Sequence, residues 1–372
     1  MRNGRANWSL LMFFMSVVLI STFNFEFTRD WLRDSVPFLY FFIALLIARL
    51  EINQTSIENS TRALLFALKA HAIWYGFFST FDLSYAFPLV PGSQNAHFFE
   101  VRGDYDPMLA FVYLAWIIIA ISQKWKLAKS DLLVSLIALV GLMQNNSRAA
   151  TLSFLVMILA TLVFSKRFVS ISLSFLSVGL IAGSLMYFFE VPLPGAISKL
   201  PFSTALLSNS QSEELRVLGD GTSRSRVDSW AILLNYSTSD VKRLFVGVGP
   251  GQDFMSETGA GRSLIANFYD LENAPRSPHN IFLTVLLRFG IIGLILYFSL
   301  LVGSWQRLRF KLKEIRFNSG KDSLNYIIVL LFIGIVVTSS LGVVVESPFG
   351  AIPLAWVIGL SIGLKNSASK VT

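Results

Sequence analysis

The sequence predicts an all-α polytopic membrane protein of about ten transmembrane helices, with one large external loop that folds as a small cap. Two observations carry the membrane class. Of 372 residues, 53% are hydrophobic and only 15% charged, and mean hydropathy is +0.59, too apolar for a soluble domain of this size. Apolar runs near the length that crosses a bilayer recur along the chain. The loop follows from a single long polar connection, about 191–278, which interrupts these runs once.

The runs fall at about 8–27, 34–50, 62–81, 106–122, 131–144, 149–164, 168–190, 280–303, 324–345 and 350–364. The first follows Arg2 and Arg5 as a signal peptide would, yet it shows no small-residue cleavage motif and many spans follow it, so it is read as a retained anchor. Lys and Arg set the orientation, because short connections rich in positive charge stay on the cytoplasmic side. With the N-terminus inside, the inner connections hold Arg2, Arg5, Arg49, Arg62, "QKWKLAKS", "SKR", "WQRLRFKLKEIRFNSGKDS", Lys365 and Lys370. The short outer ones hold Arg29, Arg33, Arg102 and Arg148. Both termini are therefore expected in the cytoplasm. The expected organisation is one integrated membrane domain: helices one to seven over 1–190, the external loop over 191–278, and helices eight to ten over 279–372.

Long loops escape the charge rule, and this one is nearly neutral, with eight Lys and Arg against nine Asp and Glu. "LGDGTSRS", "VGVGPGQ" and "ETGAGR" read as turns around short helical patterns such as "VDSWAILL". The glycines of "VGVGPGQ" have the wrong spacing for a dinucleotide loop, and Pro250 lacks a donor. The formal charge of +8 is spread over inner connections and not gathered on a soluble segment, which argues against a nucleic-acid partner. With no cysteine, the chain has no disulfide, thiolate nucleophile or Cys-based metal site.

The residues suited to chemistry converge on the outer edge. Arg148 in "NNSRAATLSF" opens the sixth span, Arg226 in "SRSRVDSW" lies in the large loop, and His279, one of three histidines, ends that loop. A guanidinium fork matches phosphate oxygens and binds them strongly where water is scarce. An imidazole titrates near neutrality and can take a proton from a hydroxyl. Each residue also has a plainer reading. Arginines near span ends commonly snorkel, and His279 after Pro278 belongs equally to a helix start in which Asn280 is the better N-cap. Arg224 is a second phosphate candidate beside Arg226, and Glu346 in "VVVESPFG" is a possible orienting acid. Arg288, at 100° per residue, points away from His279 and is expected to pair structurally. Lys69 and His71 are expected to snorkel toward the cytoplasm.

The stretch from about Leu136 to Leu301 resembles the O-antigen ligase/polymerase superfamily (Wzy_C-type) of bacterial envelope glycosyltransferases. The resemblance rests on "SRAATLSFLVMILATLVF", "RVDSW", "VGVGPGQDF" and "HNIFLTVLLRFGIIGLILYF", in that order around one external loop. It implies transfer of a glycan from undecaprenyl pyrophosphate to a sugar hydroxyl, with inversion at the anomeric carbon and without metal or other cofactor. The acceptor implied is a lipid-linked repeat or a lipid A-core-like sugar, at the outer face of the bacterial inner membrane in contact with its lipids. The superfamily's functional residues fall on Arg148, Arg226 and His279, and His279 thereby becomes the base. Arg288-Phe289 stand where a small acidic or polar residue before glycine is familiar.

Two other readings compete. "GDYDP" offers Asp104 and Asp106 as ligands for a divalent ion in a metal-dependent membrane glycosyltransferase, against a helix N-terminus dressed with acids before Pro107. A transporter-like protein of the same superfamily is the second, but it would favour repeats and midplane charges over candidates gathered at the outer edge. Polymerase is slightly preferred to ligase, because a second pyrophosphate calls for further outer cations and Arg224, Arg262 and Arg276 supply them.

Overall fold

The computed structural model describes residues 2–23, 28–49, 54–81, 83–89, 97, 99–101, 103–122, 124–144, 147–164, 172, 177, 213–265, 277–314 and 320–363. The elements are helices: α1 (Arg2–Phe23), α2 (Arg29–Leu39), α3 (Phe41–Arg49), α4 (Gln54–Phe81), α5 (Tyr105–Ser122), α6 (Lys129–Gln144), α7 (Arg148–Phe164), α8 (Glu213–Thr238), α9 (Val241–Val246), α10 (Phe254–Glu257), α11 (Ala260–Ile265), α12 (Ile281–Glu314), α13 (Gly320–Ser339) and α14 (Pro348–Gly363). Among the described residues there is no named strand. Three stretches are long and apolar enough to cross a membrane: Arg29–Arg49, Tyr105–Ser122 and Ile281–Arg309. Ser9–Ile20, Arg148–Val163, Tyr326–Ser339 and Pro348–Gly363 are shorter apolar helices. The expected span at 168–190 lies outside the described residues, Ser172 and Ser177 excepted.

Two local differences from the sequence reading stand out. The run expected at 34–50 is two successive helices that meet at Tyr40, whose N–H donates to Val36 O at 3.1 Å. "LGDGTSRS" is not a turn but part of α8. Two glycines cost a helix only about 1 kcal/mol each, and propagation from a formed helix is favourable where nucleation is not.

The chain divides into two compact units, 1–52 with 202–308 and 339–372, and 53–201 with 309–338. In the second unit α4 and α6 meet through glycines. A Cβ on Gly141 would lie 2.7 Å from the Gly76 Cα, the small-residue contact that lets membrane helices approach closely. Phe111 of α5 stacks on Phe154 of α7 with ring centroids 4.7 Å apart. Lys69 and His71 both have carboxylate neighbours. Lys69 Nζ reaches Asp131 Oδ1 at 2.6 Å and His71 Nε2 lies 3.1 Å from Asp106 Oδ1.

In the first unit Phe14, Phe41 and Tyr297 form an aromatic cluster, with Phe14 5.4 Å from Phe41 and 5.6 Å from Tyr297. Gly359 of α14 lies against Ala44 and Ile47 of α3. α12 and α14 run parallel, tied at one end by Thr284 and Glu346 and at the other by Arg307, which donates to the carbonyls of Ser361 and Ile362.

α12 is interrupted at Gly290, with φ 65° and ψ −171°, a conformation essentially restricted to glycine. The break disturbs the helical hydrogen bonding around the Leu287 and Arg288 carbonyls, and the "VGVGPGQ" turn caps both: Val248 N–H donates to Leu287 O at 2.7 Å and Gly249 N–H to Arg288 O at 3.0 Å. Approach this close needs glycine on both sides, since a Cβ on Gly290 would collide with the Phe245 backbone and one on Gly247 with the Arg288 backbone. Gly290→Ala is therefore expected to destabilise by at least the ~1–3 kcal/mol of such a backbone conformation. Gly103→Ala, where nothing stands within 4 Å of the added Cβ, should be silent. Thermal unfolding in detergent compares them, and equal melting of the two variants would contradict the capped break.

Candidate active site

His279 sits in a three-residue turn that leads into α12 and is held from three directions. Asn280 caps the helix, its Oδ1 accepting from Phe282 N at 3.0 Å and Leu283 N at 3.2 Å. His279 itself is outside the helix, with φ 56°, a left-handed conformation uncommon for any residue but glycine. Its N–H donates to Ser277 Oγ at 3.2 Å, and Ser277 Oγ donates to Glu346 Oε1 at 2.7 Å. Thr284, one turn into α12, donates to the same carboxylate oxygen at 2.8 Å. Glu346 thus clamps the segment on both sides of His279. The acid singled out in the sequence acts on the backbone around the histidine.

The third hold comes from α8. Trp230 Nε1 donates to Pro278 O, the carbonyl preceding His279, at 2.7 Å. Arg226 lies four residues before Trp230, so both share one face of α8 a turn apart. Arg226 is half-buried. The pattern "RVDSW" is therefore a spacing that sets Arg226 one turn along α8 from the indole that reaches the histidine turn. Arg224 lies on the same helix, with its side chain outside the described residues. Below this contact Leu233, Phe254, Met255 and Ala260 pack on Leu283 and Leu287.

Arg148 is the first residue of α7, which Ser147 caps by accepting from Ala150 N at 2.9 Å. It belongs to the second unit, and His279, Arg226 and Glu346 to the first. Asp106 is buried in the first turn of α5 and engaged with His71. Among the described residues no group of three His, Cys, Asp or Glu is placed to hold a metal ion.

Arg288 does pair structurally. Its Nη2 lies 2.7 Å from Asp34 Oδ2, its Nη1 donates to Gly249 O at 3.0 Å and Gln252 O at 2.7 Å, and its guanidinium lies over the Phe254 ring at 4.6 Å. These bonds hold the glycine turn against α12 two turns below the histidine.

Residues 133–298 match the Wzy_C family, O-antigen ligase. The match covers the O-antigen ligase/polymerase resemblance read at 136–301 almost end to end, and it contains Arg148, Arg226 and His279. It supports a membrane glycosyltransferase-like function acting on lipid-linked glycans. No curated protein matches the chain significantly. Glu346 lies beyond the Wzy_C segment, and sequence signals for Asp34, Trp230, Ser277 and Thr284 were confined to single polar or indole-bearing residues beside apolar runs.

Burial is the main influence on the Glu346 carboxyl and pushes it above its ordinary value of 4.5, against the bonds from Ser277 and Thr284 and the charge of Arg288, with Asp34 adding to the rise. A carboxyl raised in the folded state holds its proton more tightly there than in the unfolded chain. It contributes stability below pH 4.5, and that contribution is lost as the pH rises through the raised value. Glu346→Gln keeps an oxygen for Ser277 and Thr284 but does not titrate. Melting in detergent from about pH 4 to about pH 8 should show the variant gaining on the parent as pH rises; parallel curves would mean that the carboxyl carries no such burden.

Proposed function

We propose that this protein is a metal-independent, inverting transferase that moves a glycan from undecaprenyl pyrophosphate to a sugar hydroxyl at the outer face of the bacterial inner membrane. The observation that carries the reading is the histidine turn at the start of an apolar span, tied by Trp230 to the helix that bears Arg226, all within the Wzy_C match. The accompanying topology is ten spans with both termini cytoplasmic and the 191–278 connection periplasmic as a small cap.

In this scheme His279 takes the proton of the acceptor hydroxyl as its oxygen forms a bond to the anomeric carbon. The bond from that carbon to the pyrophosphate oxygen breaks on the opposite face, and the electron pair leaves with the pyrophosphate. Arg226, with Arg224 beside it, stabilises that growing charge, and Arg148 is assigned to the same pyrophosphate by the family resemblance. Donors of this kind contribute about 2.7–4 kcal/mol each in comparable oxyanion sites. Glu346 is a positioning residue. By fixing Ser277 and Thr284 it keeps the left-handed His279 backbone from relaxing, which sets the direction of the imidazole.

His279→Ala is expected to keep the folded protein and lower turnover by about 10²–10⁴. Arg148→Lys and Arg226→Lys should each lose most activity, because a point charge does not reproduce two-pronged phosphate contact. Purified variants assayed with a lipid-linked donor decide this: full activity without His279 removes the base, and full activity with both lysines reduces the arginines to bulk charge.

The cations of the connection, Arg224, Arg262 and Arg276, favour a polymerase, whose acceptor carries a second pyrophosphate. Deleting a polymerase gene should leave acceptor capped with single repeats and no ladder on a polysaccharide gel. Bare acceptor with long chains retained on undecaprenyl pyrophosphate would instead identify a ligase acting on a lipid A-core-like sugar.

A further inference from the structure

α9 and the glycine turn after it are attached to the side of a membrane span, not to its end. Val248 and Gly249 bond to Leu287 and Arg288, and Phe245 lies against Gly290. Gly290 is nine residues into the Ile281–Arg309 span, about 13 Å below its start at 1.5 Å per residue. From Gly290 to the basic pair Arg307 and Arg309 at the other end is about 25–28 Å of helix. That is close to the hydrocarbon thickness of a bilayer, ~30 Å, so Gly290 falls at the outer boundary of the hydrocarbon.

Irregular backbone at that depth is tolerated only when its polar groups are satisfied within the protein. Here five of them are held so: two N–H groups go to α12, the Gly249 and Gln252 carbonyls accept from Arg288, and Gly251 N–H donates to Asp34 Oδ2 at 3.1 Å. The side chains on the outside of this segment are apolar. Val241 is 73% exposed, Phe245 48% and Val246 47%. Beside them the face of α12 continues in the same character with exposed Ile292, Ile295 and Phe298. The polar residues of the segment are gathered otherwise. Asp240 caps α9, Arg243 is held over the Tyr236 ring and bonded to Tyr236 O and Ser239 Oγ, and exposed Lys242 has a stem long enough to bring its ammonium to the headgroups.

We infer that residues 241–249 are an interfacial re-entrant element whose Val241, Phe245 and Val246 lie among the outer-leaflet acyl chains, so that part of the long polar connection is embedded in lipid. The occupant of this face is phospholipid, because the face is continuous with the exposed apolar side of a span and lies at the depth where acyl chains begin. The inference rests on the chain spanning a membrane and not on the transferase reading, so an inactive protein leaves it intact.

The absence of cysteine makes the test clean. Phe245→Cys, Val241→Cys and Asp228→Cys, the last exposed on α8 near Arg226, are purified as full chains, labelled with a small environment-sensitive fluorophore and returned to phosphatidylcholine vesicles. Bromine carried near the headgroup end of the acyl chains should quench the probe at 245 and at 241 but not at 228. Before extraction, a membrane-impermeant thiol reagent should react at 228 at least about tenfold faster than at either other position. Val241 is the most exposed of the three apolar residues, so its variant reads the same face if Phe245→Cys folds poorly. Equal reaction at all three positions overturns the inference by placing the segment in water. Protection from the reagent without quenching also overturns it, because the face is then covered by protein.

Discussion

The ion pair between Arg288 and Asp34 is the contact on which the rest of the first unit depends. Arg288 is 3% exposed and uses its fork on a carboxylate and two main-chain carbonyls at once. One side chain thereby joins α12, the glycine turn and α2. A buried charge is tolerable only when fully partnered, and here the partners are backbone dipoles as well as a counter-ion. Gly251 adds its N–H to the same Asp34 oxygen, so the carboxylate is satisfied by the turn that its arginine holds. Arg288 thus serves a packing role.

Above that knot lies a second polar arrangement with a different purpose. Ser277, Thr284, Glu346 and Trp230 all act on the few residues around His279. None of the four bonds goes to its imidazole. They fix the main chain, and the main chain fixes the ring's origin. The helix cap itself is supplied separately, by Asn280.

Among the described residues several helices were legible in the sequence from their apolar runs, because burial in lipid leaves one dominant signal. α5, α6, α7 and α14 begin and end within a few residues of their expected limits, and α12 begins where expected but runs on to Glu314. α8 was missed where Gly219 and Gly221 imitate a turn, since composition records local cost but not the packing that outweighs it. The residue types near His279 could be read, yet their connections could not. Asp34 and Arg288 are 254 positions apart, and nothing in either local pattern specifies the other. The glycines of "VGVGPGQ" were recognised as turn formers, while what they approach, a broken helix, depends on Gly290 some forty residues later.

The two carbonyls at that break are capped by main-chain amides, and this has an evolutionary corollary. A carbonyl capped by a serine or asparagine side chain ties a sequence to that residue. The carbonyls of Leu287 and Arg288 are capped by amide groups that every residue except proline possesses. Positions 245, 246 and 248 can therefore drift among side chains without opening the join, provided that glycines 247, 249 and 290 and Arg288 stay. Lineages meeting different bilayers can retune the surface of this element while the joint beneath it stays unchanged.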